Sequence, residues 1–487
     1  NDFHFCFTPF LMVFTALLLV LSTWRWLRSW ELVAGPPGPL PWPILGNALQ
    51  LGASPHLAFL RLARRYGPVF ALKLGSRNVV VLSGSKIIQQ TLLKQGSDFA
   101  ARPDFPSFQM ISRGKSMAFG TYGPLWKLHR RVAQSVVREF STKNVDTRHM
   151  FEKHVVAEVG QLIQILLGSC ERETFIEPTR NIIIAVGNIM SAVCFGTRYD
   201  HSDKEFQQLL SHNDRFGKTV GAGSLVDVMP WLLRFPNPVR TGFREFRNLN
   251  EEFSAFIQTK VAQHRNTHKT NMTRDMTDSF IDVIDSGRAR TNGGISLTPE
   301  FVESSMTDVF GASQDTLSTA LMWIFLLLVH YPEVQRKVHA EIDRVVGRDR
   351  LPLLSDEPRL VYTVAFIFEV MRFSSFIPVT IPHAASTDTS IRGFRVPKGT
   401  IVFVNQYSVN HDPEIWQQPD RFDPTRFLTP AGDTIDKDLV NNILIFSLGK
   451  RRCIGEALSK MQLFILTSVL LGEDTSFTPR GFKQGRA

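Results

Sequence analysis

One apolar stretch, from Pro299 to His330, constrains the fold more strongly than any other part of the chain. Thr298 and Pro299 suit a helix start, as an N-cap residue and a first-turn proline. Apart from the terminal histidine, the charged side chains of the stretch are Glu300, Glu303, Asp308 and Asp315. A helix of this length would be about 48 Å long and mostly buried. We therefore predict that it crosses the middle of the domain. Long helical stretches in residues 150–290 and two short apolar hairpins predict a mainly α-helical domain with small β-sheets, an α+β fold in which sheet is the minor component.

Polar side chains interrupt this helix at its centre. The segment from Gly311 to Thr316 includes Ser313, Gln314 and Asp315, which are costly inside an apolar core unless they form hydrogen bonds or serve chemistry. Two interpretations fit these residues. Serine and threonine can bond back to the preceding turn and kink the helix. Alternatively, the same groups can hold water and relay protons beside a bound cofactor.

A second constrained segment, from Phe446 to Gly455, places one cysteine between glycines and three cations. Positive charge and free backbone N–H groups lower the pKa of a thiol, so Cys453 is suited to be a thiolate ligand of a metal. Glycine at positions 449 and 455 leaves room for a flat group to approach the backbone. Cys453 is therefore the candidate axial ligand of a haem iron.

This segment resembles the haem-binding signature of the cytochrome P450 monooxygenases, with fixed residues at Phe446, Gly449, Arg451, Cys453 and Gly455. The polar centre of the long helix is similar to the oxygen-activation motif of the same family. Ser313 stands where that motif usually has glycine, and Leu317 stands where a second hydroxyl often lies. The resemblance implies the P450 fold, haem b as cofactor, and catalytic roles for Asp315 and Thr316 in proton delivery.

Two arginines, Arg130 and Arg451, are further candidates for the haem site. Trp126 and Arg130 are four residues apart and so share one face of a predicted helix. Such a pair can also belong to an ordinary surface helix. In the family that the chain resembles, the pair reaches the haem propionates. Arg451 would be a further propionate partner, since buried anions require cations.

Glu369 and Arg372 lie three residues apart on a predicted apolar helix, so both charges are expected to be buried and to need partners. The family supplies a third member, an arginine in a downstream turn. Arg421 and Arg426 compete for this role, and the spacing of the surrounding phenylalanines and proline favours Arg426. The resemblance implies that this set stabilises the core beneath the haem and is not catalytic.

Three stretches narrow the resemblance to family 1, closest to its B and C subfamilies: Val220–Trp231, Phe310–Ala320 and Phe373–His383. Enzymes of that family oxidise polycyclic aromatic hydrocarbons, oestrogens and retinoids. Matching their pocket residue by residue implies substrate contacts for Phe119, Asn213, Phe216, Phe253, Ala312 and Ile377. Aromatic faces can stack on a planar ligand, and an asparagine can orient it with a hydrogen bond.

The N-terminal region predicts a membrane anchor. Residues 5–24 carry no charged side chain and can span roughly 30 Å of hydrocarbon, and the arginines that follow place the downstream chain in the cytoplasm. A cleaved signal peptide is the alternative. We predict an anchor at residues 1–30, a proline-rich linker at 31–47 and a haem-thiolate catalytic domain at 48–487, located at the endoplasmic reticulum membrane. The proline-rich segment could instead be a ligand for another protein.

The net charge of +10 fits an anionic membrane or an acidic protein partner. The basic residues are spread along the chain without alternating aromatic residues, so no nucleic-acid partner is expected. The four cysteines have no paired spacing, which argues against a disulfide framework or a zinc site. The resemblance implies electrons from NADPH through the NADPH-cytochrome P450 reductase, with cytochrome b5 as a further partner. Lys450, Arg452 and Lys460 could meet an acidic face of the reductase.

Two β-hairpins are predicted from paired apolar runs. The first joins Val69–Leu74 to Val79–Leu82, and the second joins Phe394–Val396 to Ile401–Val404. From Gly472 onward the sequence no longer resembles the family, whose members continue into terminal strands that reach the substrate pocket.

Two functions from different classes fit these features. The first is a membrane-anchored monooxygenase that inserts one atom of O2 into planar apolar substrates. The second is a haem-binding protein without turnover, either a sensor or an inactive truncated product. Peroxide-driven isomerisation on the same fold is disfavoured because Asp315 and Thr316 are both present.

Overall fold

The computed structural model of the chain describes residues 20, 35–143, 145–170, 177–269, 272–291, 293–473, 475–478 and 481–484. Apart from Val20, the predicted anchor lies outside the described residues, and so the anchor stays a prediction. The predicted linker is described from residue 35. The chain forms two units, one from residues 1–103 and 379–405 and one from residues 104–378 and 406–487.

The first unit contains the main sheet. Its helices are α1 (Ala48–Leu51), α2 (Pro55–Tyr66) and α3 (Ser85–Gln89), followed by a π-helical turn, Gln90–Lys94. Its strands are β1 (Val69–Leu74), β2 (Arg77–Ser83), β3 (His383–Ala384), β4 (Thr389–Ile391), β5 (Phe394–Val396) and β6 (Ile401–Asn405). The order in the sheet is β1-β2-β6-β3, with β2 and β6 parallel and the other neighbours antiparallel. The first predicted hairpin is confirmed, with Val69 opposite Leu82.

The second predicted hairpin is wrong. Strand β5 pairs antiparallel with β4, while β6 lies in the main sheet between β2 and β3. Arg392 and Gly393 form the two-residue turn between β4 and β5, and both have positive φ, at 50° and 84°. That backbone suits a tight turn matched to strand twist. Strand β6 has both edges occupied by other strands, which leaves none for β5.

The second unit is mainly helical. Its helices are α4 (Pro106–Ser112), α5 (Pro124–Arg138), α6 (Val145–Cys170), α7 (Thr179–Phe195), α8 (Lys204–Val228), α9 (Pro238–Thr267), α10 (Met276–Ile284), α11 (Glu300–His330), α12 (Pro332–Val345), α13 (Val361–Ser374), α14 (Tyr407–Asn410), α15 (Lys437–Val440) and α16 (Glu456–Gly472). A π-helical turn covers Glu139–Lys143, and 3-10 turns cover Pro230–Arg234, Leu354–Arg359, Pro424–Phe427 and Gly449–Arg451. After α16, strands β7 (Thr475–Thr478) and β8 (Gly481–Gln484) form an antiparallel pair.

Helix α11 is the predicted apolar helix, and it begins one residue after Pro299 and ends at His330. It packs against α7, α9, α13 and α16. Its buried side chains, among them Phe310, Leu317 and Ile324, belong to the largest hydrophobic cluster of this unit. Within the described residues it alone is long and apolar enough to cross a membrane, but half of its most apolar window is buried in the protein, as in a core helix.

Candidate functional site

The loop before α16 holds the Cys453 side chain in a fixed position. Gly449 begins a 3-10 turn with φ of 72°, a conformation that favours glycine. The backbone N–H of Cys453 donates to the carbonyl oxygen of Phe446 at 2.8 Å, which closes the loop. Helix α16 begins directly after Gly455. The sequence therefore folds here as a short turn that presents one thiol.

The Cys453 thiol is accessible, yet protein atoms surround it closely. Desolvation by these atoms raises its pKa, while the backbone N–H of Gly455 and the charges of Arg130 and Arg452 act in the opposite direction. A Cβ at Gly455 would lie 3.8 Å from the Cys453 sulfur, so glycine keeps that side of the sulfur clear. A sulfur that is accessible and enclosed at once lines an internal space.

Three side chains predicted to reach the haem propionates lie together beside this loop. The guanidinium of Arg451 lies 4.1 Å from the ring centre of Trp126, and that of Arg130 lies 5.5 Å from it. Arg130 donates to the carbonyl oxygen of Arg452, and the indole N–H of Trp126 donates to the carbonyl oxygen of Met117 at 2.9 Å. The structure thus brings all three together, and their contact with propionates stays a prediction.

Desolvation of the Arg130 and Arg451 guanidinium groups is energetically unfavourable. Desolvation lowers the pKa of Arg451 to about 9, with the neighbouring charge of Arg130 acting in the same direction, and desolvation also lowers the pKa of Arg130. An anionic group beside them would offset that cost. The open side of the Cys453 sulfur and this desolvated cation pair fit a flat metal cofactor with anionic substituents, as haem is.

The middle of α11 is exposed although the turns on either side are buried. Ala312 and Asp315 are exposed and Thr316 is partly so, whereas Phe310 and Leu317 are buried. The hydroxyl of Thr316 donates to the carbonyl oxygen of Ala312 at 2.7 Å, the back-bonding that was one interpretation of these residues. Its oxygen keeps free lone pairs for another donor. Desolvation raises the pKa of the Asp315 carboxyl.

The predicted substrate contacts are distributed over several elements. Phe253 of α9 lies against α11, where a Cβ on Gly311 would be 3.4 Å from its ring. Phe119 packs on Phe108, with ring centres 4.7 Å apart. Phe216 packs on the aromatic ring of Phe246 at 5.3 Å, in a separate small cluster.

The structure describes the side chain of one remaining predicted substrate contact, Ile377, but not that of the other, Asn213. Ile377 is partly buried against the main cluster. The side chain of Asn213 lies outside the described residues. The contacts of all these residues with a substrate stay predictions.

Glu369 and Arg372 of α13 form a fully buried ion pair, and Arg426 joins it. The Arg372 guanidinium donates to both Glu369 oxygens at 2.7 and 2.8 Å, and the Nε of Arg426 lies 3.1 Å from the carboxylate. Arg421 contributes its carbonyl oxygen, which accepts from Arg372 and Arg426. Arg426 therefore occupies the third position for which two arginines compete in the sequence.

Two polar groups of α11, the partly buried Asp308 and the buried Ser305, carried no functional prediction. Asp308 accepts hydrogen bonds from Ser116 and Met117, and Ser305 lies 2.8 Å from Nε2 of His129 on α5. The sequence signal for Asp308 was a carboxylate in an otherwise apolar helix. Its partners lie far away in the sequence, so periodicity could not find them.

Among the described residues, one group of three side chains has spacing suited to a metal ion: His264, Asp275 and Asp278, with ligand atoms within 4.8 Å of one another. Nε2 of His264 lies 2.8 Å from Asp275, and its Nδ1 lies 2.8 Å from the carbonyl oxygen of Lys260. Asp278 is paired with Arg274. These bonds account for the group as a structural cluster.

Comparisons with known proteins support the haem site that the geometry indicates. A family model described as Cytochrome P450 matches residues 36–473. Cytochrome P450 1B1 of Mus musculus is 53% identical over 469 residues, which cover 95% of this chain and 86% of the relative. Cytochrome P450 1A1 of Homo sapiens is 42% identical over 452 residues, covering 92% and 88%.

A solved structure described as "Zebra fish cytochrome P450 another structure with Progesterone" superposes with a TM-score of 0.76 at 32% identity. The match covers 87% of this chain and 93% of that chain. Fold, sequence and the arrangement around Cys453 therefore point to one family.

Proposed function

Because this chain belongs to the cytochrome P450 family, in the region of family 1, and is a P450 monooxygenase, we propose that it inserts one atom of O2 into planar hydrophobic substrates. The substrate class comprises polycyclic aromatic hydrocarbons, oestrogen-like steroids and retinoids. One observation supports this proposal above all. The Cys453 thiol, accessible but closely surrounded by protein atoms, lies in the same unit as α11, a core helix whose central turn at Ala312 and Asp315 is exposed.

Each group has a task in this reaction. Haem bound through the Cys453 thiolate supplies the oxygen-activating chemistry. Phe446, Gly449 and Gly455 shape the loop that presents the thiolate, and Arg130, Arg451 and Trp126 hold the propionates. The oxygen of Thr316, whose hydrogen goes to Ala312, accepts from a bound water. Asp315, whose pKa is raised by desolvation, would give its proton to that water while the water gives one of its own to the oxygen under reduction, and solvent would then reprotonate the exposed carboxyl.

Aromatic side chains provide the walls for a planar substrate. Phe119 and Phe253 are both partly buried, which leaves ring surface for stacking, and Ala312 leaves space beside them on α11. Phe216, Ile377 and Asn213 complete the proposed contacts. Progesterone, the steroid named with the zebrafish relative, supports the inclusion of steroids in the proposed substrate class.

The remaining assignments are proposals of the same kind. Electrons come from NADPH through the NADPH-cytochrome P450 reductase, with cytochrome b5 as a second donor. A membrane anchor at residues 1–30, a linker at 31–47 and a catalytic domain at 48–487 place the enzyme on the cytoplasmic face of the endoplasmic reticulum. The +10 net charge supports an acidic partner and an anionic lipid surface.

Two measurements on one preparation test the proposal. The reduced protein with carbon monoxide should show a thiolate-shifted Soret band, and with reductase and NADPH it should hydroxylate a planar polycyclic substrate. Cys453→Ser should abolish the thiolate-shifted Soret band and lower the turnover rate more than about 100-fold. This loss exceeds the typical loss when a residue that only hydrogen-bonds to a metal ligand is replaced. Lys437→Ala, a change on a short surface helix, is the control.

The outcomes separate the two candidate functions. A thiolate band without turnover of any planar substrate would support a haem-binding protein without catalysis. A wild-type protein that takes up no haem would contradict both functions.

A further inference from the structure

The segment Ser116–Gly120 carries Phe119 and is held to α11 by one carboxylate. The hydroxyl of Ser116 donates to Oδ1 of Asp308 at 2.7 Å, and the backbone N–H of Met117 donates to Oδ2. Both carboxylate oxygens are therefore used to hold this segment. Asp308 lies one to two turns before Ala312 and Asp315, the exposed residues at the centre of α11.

Ser116 passes this constraint on to Phe119. Its oxygen accepts from the backbone N–H groups of Ala118 and Phe119 at 3.1 and 3.0 Å. These two bonds use the lone pairs of the hydroxyl oxygen, so its single hydrogen must be donated. Asp308 Oδ1 must consequently be an acceptor, a requirement that a carboxylate meets and an amide nitrogen does not.

The same segment is also bound by the cysteine loop. Arg451 donates to the carbonyl oxygens of Met117 and Gly120 at 2.8 and 2.7 Å. The segment is thus held between a carboxylate on α11 and a guanidinium two residues before Cys453. The cost of keeping Asp308 here is considerable, since desolvation raises the pKa of its carboxyl to about 6 against its hydrogen bonds and the charge of Arg451.

From these contacts we propose that Asp308 is a positioning residue for substrate orientation, which acts through Ser116 to fix the ring of Phe119 beside α11. The proposal rests on the proposed monooxygenase function. Its physical basis is preorganisation. A wall held by two partly buried hydrogen bonds presents the ring in one orientation, whereas a loose wall admits several substrate poses.

Asp308→Asn tests the proposal with almost no change in volume. The amide must turn an N–H group toward either the hydroxyl of Ser116 or the N–H of Met117, so one of the two bonds is lost. Ser116→Ala removes the hydrogen bond from Ser116 to Asp308 without changing a charge. Glu300→Gln is the matched control, because Glu300 is on the same helix and pairs with Lys115 next to the segment, but at an exposed site.

Three kinds of measurement are made on the wild type and on each variant: a spectrum, hydrogen exchange and steady-state kinetics with product analysis. The carbon monoxide spectrum reports haem ligation, and hydrogen exchange of the peptide spanning residues 115–120 reports how firmly the segment is held. KM, kcat and product ratio on one planar substrate report orientation. Asp308→Asn and Ser116→Ala should keep the thiolate band, exchange faster, raise KM at least threefold and change the product ratio. Glu300→Gln should match wild type throughout.

The double variant Asp308→Asn/Ser116→Ala should change less than the sum of the two single variants, because both loosen the attachment of the same segment to Asp308. Wild-type exchange, KM and product ratio in a haem-loaded Asp308→Asn would overturn the proposal. If Asp308→Asn fails to fold, Ser116→Ala decides by the same readouts. Failure of the monooxygenase function would appear differently, as absent turnover in the wild type itself.

Discussion

Two polar regions of the second unit differ in how completely their groups are paired. In the network around Glu369, the Arg372 guanidinium uses all its donors, on Glu369 and on the carbonyl oxygens of Asn410, Pro419 and Arg421. In the exposed turn of α11, Asp315 has a desolvated carboxyl and Thr316 keeps acceptor capacity. The first region has no bonding capacity left for a ligand, whereas the second has.

This difference separates structural from functional polar groups. Buried charges that satisfy one another are strongly destabilising to break, so the Glu369 network stabilises the fold. Polar groups that face an internal space without saturating one another are available to water or substrate. Residue type alone does not make this distinction, because a carboxylate is central to both regions.

The largest effect is expected in the saturated network. Arg372→Ala leaves Glu369 buried with reduced pairing and should lower the free energy of unfolding by about 3–5 kcal/mol. Arg215→Ala is the control, because Arg215 pairs with Glu245 at 2.6 Å but is 46% exposed, and exposed pairs contribute less than about 1 kcal/mol. Urea unfolding of the haem-loaded proteins measures both. Equal losses of unfolding free energy in Arg372→Ala and Arg215→Ala would contradict a special structural role for the network around Glu369.

A second effect concerns a buried histidine that contacts α11 outside the exposed turn. Ser305 gives its hydrogen to the carbonyl oxygen of Phe301 at 2.6 Å, so Nε2 of His129 is the donor in their shared bond. Burial lowers the pKa of His129 to about 4. The native state therefore binds fewer protons than the unfolded state between pH 6.5 and pH 4, and its stability falls as the pH falls.

His129→Asn keeps a donor for Ser305 and removes the titration. Relative to this variant, the wild type should lose up to about 3 kcal/mol of unfolding free energy as the pH falls from 6.5 through 4. Unfolding curves at a series of pH values give the difference directly. Parallel stability curves for the two proteins would show that His129 is not held neutral by the fold.

The smallest effect on stability is expected for a substitution in the exposed turn of α11, although the coupling of NADPH consumption to oxygenation should change strongly. Thr316→Ala should change the unfolding free energy by less than about 1 kcal/mol. It should nevertheless raise the peroxide released per NADPH consumed several-fold, because an acceptor for the bound water is lost. Thr307→Ala is the matched control, since Thr307 makes the same back-bond, to Glu303 at 2.8 Å, in the same helix. Unchanged coupling in Thr316→Ala would contradict the proposed proton delivery.

Sequence patterns predicted the elements that depend on neighbours along the chain. The first hairpin and the extent of α11 follow from local apolar runs and from the proline before the helix, and the structure has both. The second hairpin was wrong because adjacent strands need not pair. A two-residue turn with positive φ at Arg392 and Gly393 joins β5 to β4 instead.

The sequence by itself determined the family, the thiol loop and the polar interruption of α11, because each is a short pattern whose residues act through adjacent backbone. The sequence favoured Arg426 over Arg421 from the surrounding phenylalanines and proline, but only the tertiary structure places the Arg426 guanidinium 3.1 Å from Glu369. The tertiary structure also decided that Asp308 holds Ser116, which lies 192 positions away. Such contacts depend on which distant side chains folding brings together, and nothing in the local pattern of either partner specifies the other.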